Sequence, residues 1–261
     1  MPRQWGVFMF GLILSWVFPM ADWPGPLPRL IGHRGAAAVT PENTLSSIRA
    51  AATAGARWVE VDARLTADSV PVLMHDETLD RTTDGTGRVR GEIASAIAAL
   101  HAGAWFDRKF EGIGVPTLEQ AATLASQLGL GLNVELKPDA DSVSVTGELV
   151  ARSLVGHNGQ LLVSCFDPDC LEAAARAAPA LALALNAEAA TVGTIDLACG
   201  LGCCALHISK AQASPAALEA ITRAGMVPGV FTVNDLDAAK SLLALGASYV
   251  FTDDPAQLAS I

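Results

Sequence analysis

The chain has 261 residues, of which 51% are apolar and 17% charged, enough for one large packed domain and unlike a disordered composition. Its formal charge of −10 argues against a polyanion such as nucleic acid as a general partner. A small anionic ligand stays open to it, provided a metal ion or clustered basic side chains supply local positive charge.

The amino terminus is uncharged from Trp5 to Ala21 and follows Arg3. This is signal-like but shorter than the roughly 20 residues a spanning helix needs. Pro19-Met20-Ala21 lacks a clear A-x-A cleavage site. Residues 1–27 therefore read as an apolar leader segment. Initiation at Met20 is the favoured reading and implies a cytoplasmic protein. Export through a genuine signal is the alternative, and an uncleaved anchor ranks third.

Beyond this segment, short apolar runs alternate with alanine-rich helical patterns. The runs cover 29–33, 57–63, 131–137, 161–166, 181–185, 203–209, 226–233 and 248–253. Strands buried on both faces read as continuous apolar runs, and strand–helix alternation predicts a parallel sheet. Eight such units over 28–261 predict a closed (β/α)8 TIM barrel. An open doubly wound sheet is the alternative, weakened by the absence of G-x-G-x-x-G after the first strand. One interval, about 66–115, is too long for a single helix. It contains a hairpin pattern, "ARLTADSVPVLMHD", then polar "RTTDGTGRV", then "EIASAIAALHAGAWF". This predicts a small insertion after the second strand, beside the barrel mouth.

The five cysteines, Cys165, Cys170, Cys199, Cys203 and Cys204, are odd in number and lack paired C-x-x-C spacing. They read as small core residues in a reducing compartment.

The polar residues inside the apolar runs point to chemistry. Glu60 and Asp62 are two apart on the second strand, so they share one face. Glu135 and Lys137 repeat the spacing on the third. The first run ends in His33-Arg34-Gly35, and His75 follows the hairpin. Barrel active sites lie at the C-terminal ends of the strands, where all these residues fall. Three carboxylates at one rim repel one another unless neutralised, and a hard divalent cation such as Mg2+ or Ca2+ takes oxygen ligands. Strand-end salt bridges to Arg34 and Lys137 are the plainer reading. Repetition on adjacent strands, with two histidines nearby, favours a site. Two imidazoles titrating near neutrality suit an acid–base pair. His101 and His157 are weaker candidates, and His207, ending the sixth strand, is evenly balanced between lining the site and serving structure.

"GHRGAAAVTPENTLSSIRAAATAGARWVEVDARLT", "VLMHDETLDRTTDGTGRV", "GAWF", "VPTLEQA", "LNVELKP", "FTVN" and "FTDDP" occur in this order. Over about 30–255 the chain resembles the glycerophosphodiester phosphodiesterases. The resemblance implies a distorted (β/α)8 barrel that hydrolyses small-molecule glycerophosphodiesters to glycerol 3-phosphate and an alcohol. It makes Glu60, Asp62 and Glu135 ligands of Mg2+ or Ca2+, His33 and His75 the acid–base pair with His33 favoured as base, and Arg34 and Lys137 phosphate contacts. Three positions depart from the family pattern. Phe231 replaces the usual Trp, Asp68-Ser69 replaces an Asp-Gly turn, and Ala63 replaces a larger β-branched residue. The alternative function is a phospholipase D-like activity on lysophospholipids or headgroups at a membrane. It would need an apolar lip, for which Trp105-Phe106 is the candidate; packing of the insertion is the favoured reading of that pair, so membrane contact is not favoured.

Overall fold

Each of the eight apolar runs forms a strand in the computed structural model, which describes residue 18 and residues 20–261. The signal and anchor readings of residues 1–17 lie outside the described residues. The strands are β1 (Leu30–Gly32), β2 (Trp58–Leu65), a short hairpin strand β3 (Pro71–Leu73), β4 (Gly131–Leu136), β5 (Leu161–Cys165), β6 (Ala182–Ala187), β7 (Ala205–Ser209), β8 (Val227–Phe231) and β9 (Tyr249–Thr252). Leaving β3 aside, successive strands pair in parallel, and β1 pairs with both β2 and β9, so the sheet closes on itself. The fold is a (β/α)8 barrel.

Outside the barrel lie α1 (Leu45–Thr53), a short α2 (Ala94–Ile97), α3 (Leu118–Gln127), α4 (Val143–Ser153), α5 (Pro168–Ala177), α6 (Val192–Gly200), α7 (Pro215–Arg223) and α8 (Leu236–Ala244). Their starts are written locally. Thr44 and Thr117 close capping boxes with Ser47 and Gln120, and Asp167 and Ser214 cap helices whose first residue is proline. Small apolar residues such as Ala51, Ala121, Ala151 and Ala174 are buried on the inner helix faces, so the helices approach the strands closely.

Inside the barrel, the lower half is apolar and the upper half polar. Trp23, ahead of β1, packs against Trp58 and Tyr249 with ring centroids 5.0 Å away in both cases, plugging the bottom. Gly131 is the register partner of Trp58, and a Cβ at Gly131 would sit 2.2 Å from the indole. A glycine opposite a tryptophan is thus a volume match.

Strand β2 runs two residues past the expected run, because β3 pairs antiparallel with Ala63–Leu65. The stretch that follows has its own small core of Val72, Met74, Leu79, Val89, Ile97, Ala102 and Val115. The amide of Met74 donates to the Asp62 carbonyl at 3.0 Å, which fixes where the next residue, His75, arrives. Among the described residues, no helix is long and apolar enough to cross a membrane.

The β2–β3 turn carries a local cost. Ser69 has φ 62°, in the left-handed region that disfavours residues with a Cβ. Replacing Ser69 with glycine should stabilise the protein by up to about 1 kcal/mol, the strain relief less the added freedom of the unfolded chain. Urea denaturation reads this directly; a lower midpoint for Ser69→Gly would contradict it.

Candidate active site

At the C-terminal ends of the strands a cavity of about 200 Å³ opens, lined in part by His33, Arg34, Glu60, His75, Glu135 and Lys137. Strand register builds its floor. Glu60 is the partner of Asn133, and Asp62 is the partner of Glu135. One carboxylate oxygen from each of Glu60, Asp62 and Glu135 lies within 4.8 Å of the others. All three residues are buried.

Their surroundings divide them. Burial pushes Asp62 up, but Lys137 and Arg34 outweigh it and hold its pKa at about 2. The ammonium of Lys137 stands 3.2 Å from Asp62 Oδ1, and Arg34 Nε 3.3 Å from Oδ2. Asn43 grips the same residue twice: Nδ2 donates to Asp62 Oδ2 at 2.8 Å, and Oδ1 accepts from the Asp62 amide at 3.0 Å. Glu60 has no such cations in contact. Burial and the Asp62 charge raise its pKa to about 8, despite the Arg34 amide donating to Oε2 at 2.8 Å. Burial and Asp62 also push Glu135 up, against the Lys137 ammonium that bonds to Glu135 Oε1. Glu60 Oε1 is buried without a hydrogen-bond donor, and Asp62 Oδ1 faces the Lys137 ammonium at 3.2 Å without a well-aligned hydrogen bond. Hard, closely spaced and partly unsatisfied oxygens fit a divalent cation of the Mg2+ or Ca2+ type.

Each histidine carries a carboxylate on Nδ1. His33 Nδ1 is 2.6 Å from Asp253 Oδ1, and His75 Nδ1 is 2.7 Å from Asp76 Oδ1. A carboxylate there fixes the Nδ1–H tautomer and leaves Nε2 for proton exchange. His33 Nε2 is 4.0 Å from Glu60 Oε2. Burial lowers the His33 pKa, but Asp253 and Glu60 overcome it and the net shift is upward. At His75, burial prevails over Asp62 and Asp76 and the net shift is downward.

The backbone is strained where it delivers these groups. Arg34 has φ 51° and Asn43 φ 55°, left-handed conformations for non-glycine residues that cost energy and cluster at sites. Gly35 has φ 88°, and a Cβ there would strike Ser47.

The seven residues read from the sequence therefore converge. His207 also reaches the cavity but has a different character. Its Nδ1–H donates to Asn186 Oδ1 at 2.7 Å, and its Nε2 accepts from the Tyr249 hydroxyl at 2.7 Å. Burial depresses its pKa to about 3, so it stays neutral and braces the barrel. His101 and His157 do not line the cavity. Phe231 forms a wall with Phe166, their rings edge-on at 5.7 Å. Trp105 is 40% exposed, while its ring meets Phe106 edge-on and its Nε1–H donates to the Ala102 carbonyl at 2.9 Å. All five cysteines are free thiols, and four are buried.

Several contributors carried no individual role in the sequence reading. Glu42 and Asn43 lie in "PENT", Asp253 in "FTDDP", Asp76 in "MHDE" and Arg81 in "DRTT". Arg64, one turn of the pleat beyond Asp62, is another. Its guanidinium donates to the carbonyls of His75 at 3.0 Å and Lys137 at 3.2 Å, and to Asp139 at 2.8 Å. A charged residue two positions after Asp62 on the same strand was the available signal.

A model of the glycerophosphoryl diester phosphodiesterase family matches residues 33–257. The chain belongs to that family. A glycerophosphodiester phosphodiesterase of Caldanaerobacter subterraneus is 29% identical over 89% of this chain and 96% of its own length. A phosphodiesterase of Oleispira antarctica, solved in complex with the product sn-glycerol-3-phosphate, superposes with a TM-score of 0.86 at 35% identity, covering 90% of this chain and 96% of that one. A glycerophosphodiester phosphodiesterase of Agrobacterium tumefaciens superposes at 0.77 with 30% identity, covering 89% and 99%.

The carboxylate floor of this family member gives its stability a distinctive pH dependence. Glu60 ionises near pH 8 in the folded metal-free protein, against 4.5 ordinarily. Between those values the folded state binds the extra proton, so stability falls as pH rises, by at most about 1.4 kcal/mol per unit. The depressed carboxylates Asp62, Asp76 and Asp253 are ionised in both states there and add no slope. Glu135, Asp139 and His33, all raised, add to the fall, and His75 opposes it near neutrality. Glu60→Gln, which keeps the neutral shape without the titration, should flatten the decline. Chemical denaturation in EDTA at about pH 5, 6.5 and 8 tests this, and parallel curves for the two proteins would contradict it.

Proposed function

We propose that the protein hydrolyses glycerophosphodiesters to sn-glycerol 3-phosphate and an alcohol, with a divalent cation held by Glu60, Asp62 and Glu135. The observation that carries this reading is the convergence of three buried carboxylates and two histidine–aspartate dyads on one cavity. The Oleispira relative, solved with sn-glycerol-3-phosphate, supports the same product here. Residues 28–261 are the catalytic unit, and 66–115 form an insertion that brings His75 to the barrel. Five free thiols support a reducing, cytoplasmic location.

The substrate phosphate is anionic and must be neutralised before a nucleophile can reach phosphorus. Arg34 and Lys137 would receive its non-bridging oxygens, and their hydrogen bonds strengthen as charge builds in the transition state. When bound, the cation supplies Lewis-acid polarisation of those oxygens. His33 is the base: Nε2 takes a proton from water or from the substrate's own glycerol hydroxyl as that oxygen bonds to phosphorus. Water gives glycerol 3-phosphate directly. The hydroxyl gives a cyclic phosphate, and water must then open its ring in a second step with the two histidines exchanging roles. His75 is the acid: its Nε2 proton passes to the alkoxide as the phosphorus–alcohol bond breaks. Without a cation the local surroundings favour the reverse protonation, because the Asp253 carboxylate outweighs burial at His33 while burial prevails at His75. A cation held at Glu60, 4.0 Å from His33 Nε2, would disfavour a proton on that nitrogen and so suit His33 to accept one from the nucleophile.

His75→Ala should lower turnover of glycerophosphocholine at least about 100-fold, the low end for loss of an acid–base group. Near-normal turnover would remove His75 from the mechanism. Prolonged dialysis against EDTA should abolish activity and Mg2+ or Ca2+ should restore it; full activity after dialysis would overturn the cation assignment. The same assay run on glycerophosphoethanolamine, glycerophosphoinositol and lysophospholipids separates the small diesters from lipid-directed substrates.

A further inference from the structure

One guanidinium joins the insertion to the barrel rim. Arg81 lies in the polar stretch after β3 and grips two carboxylates. Toward the barrel, Nη1 and Nη2 donate to the two oxygens of Glu42 at 2.9 and 2.8 Å. Toward the insertion, Nε and Nη2 donate to Asp76 Oδ2 and Oδ1 at 2.5 and 3.1 Å. Each carboxylate then meets a functional residue. Glu42 Oε1 accepts from Arg34 Nη1 at 2.7 Å, and Asp76 Oδ1 accepts from His75 Nδ1 at 2.7 Å. A continuous chain thus runs from His75 through Asp76, Arg81, Glu42 and Arg34 to Asp62.

The chemistry of this link is specific. A planar guanidinium can present paired N–H groups to two carboxylates at once, and an ammonium cannot. Exposed ion pairs contribute little stability on their own. Here four hydrogen bonds share one group, and the Glu42 side chain is only 11% exposed. The network therefore constrains geometry more than it adds stability. His33 has no counterpart to Arg81: its Asp253 is held by the neutral Asn234, whose Nδ2 donates to Oδ2 at 2.6 Å.

We propose that Arg81 is a positioning residue that sets the orientation of His75 relative to Arg34 by holding Asp76 and Glu42 together. Arg81 does not line the cavity, so it acts through its two partners rather than on the substrate. This rests on the acid–base and phosphate-binding roles proposed above for His75 and Arg34.

The test is steady-state hydrolysis of glycerophosphocholine with saturating Mg2+, alongside thermal melts. Arg81→Gln should lower kcat by about tenfold or more, the usual scale for residues that orient a functional side chain, and raise KM. Its melting temperature should stay within about 3 °C of wild type, as for a surface change. Arg81→Lys should recover little, because charge without the fork cannot bridge. In a His75→Ala background, Arg81→Gln should lower kcat much less than it does in the wild type, since residues acting as a unit are not additive. Near-normal kcat in Arg81→Gln, full recovery by lysine, or an undiminished effect in the His75→Ala background would each overturn the proposal. Should Arg81→Gln fold poorly, Glu42→Gln and Asp76→Asn open one side of the bridge each, and normal kcat in both would overturn it. An active His75→Ala variant strikes the acid–base reading itself; an inactive one beside a normal Arg81→Gln strikes only Arg81.

Discussion

The register between β2 and β4 places Asp62 beside Glu135 and Glu60 beside Asn133. This puts three carboxylates within 4.8 Å in a buried floor. At an effective dielectric constant near 20, like charges at that separation repel by roughly 3 kcal/mol per pair. Three such pairs rival the whole stability of an ordinary domain, about 5–15 kcal/mol. The barrel cannot hold that floor uncompensated. Lys137 and Arg34 answer the Asp62 charge, Asn43 satisfies its hydrogen bonds, and a proton or a cation must answer Glu60. The strained turns at Arg34 and Asn43 follow from the same demand, since each bends the chain back so that a polar group reaches a carboxylate.

Three histidines reach this cavity, and the partner on Nδ1 separates them. His33 and His75 face carboxylates, which stabilise an imidazolium as it forms. His207 faces an amide, and its other nitrogen accepts from a buried phenol. No anion lies there to support a proton, and burial drives the pKa to about 3. The same side chain is thus placed to exchange a proton at the rim and is a fixed brace deeper in the barrel. The aromatic plug of Trp23, Trp58 and Tyr249 completes the division by closing the barrel beneath the brace.

The strands and the ligand spacing were legible because they depend on local order along the chain. An apolar run needs only its own residues to mark a strand, and a two-residue spacing needs only the pleat to put Glu60 and Asp62 on one face. The converging set of His33, Arg34, Glu60, Asp62, His75, Glu135 and Lys137 followed from placing those strands side by side. The supporting shell was not legible in the same way. Asp253 is 220 positions from His33, and barrel closure through β1 and β9 brings them together. Arg81 and Glu42 are 39 apart, on two connections whose meeting depends on how the insertion folds back. The extension of β2 to Leu65 was missed because pairing with β3, rather than apolar pattern, sustains it. The Asp68-Ser69 turn was noted as a departure, but its left-handed serine is a backbone property that residue type alone does not fix.

The proposed catalytic pair comes from two bodies with separate cores. His33 belongs to the barrel, while His75 follows a hairpin whose apolar residues divide between the two cores, Leu65 and Leu73 in the barrel's and Val72 and Met74 in the insertion's. Leu73 anchors the hairpin in the barrel core, and polar contacts tie His75 itself to the rim. The Met74 amide bonds to Asp62, Arg64 holds the His75 carbonyl, and Asp76 reaches Glu42 through Arg81. Polar attachments of this kind open at lower free energy than a buried apolar interface. Glu60, Asp62 and Glu135 all lie on β2 and β4, within the barrel proper. Local opening of the insertion would therefore withdraw His75 while leaving the carboxylate floor intact. On the proposed roles, cation binding would rest on strand register alone, and turnover also on a few hydrogen bonds across the insertion boundary.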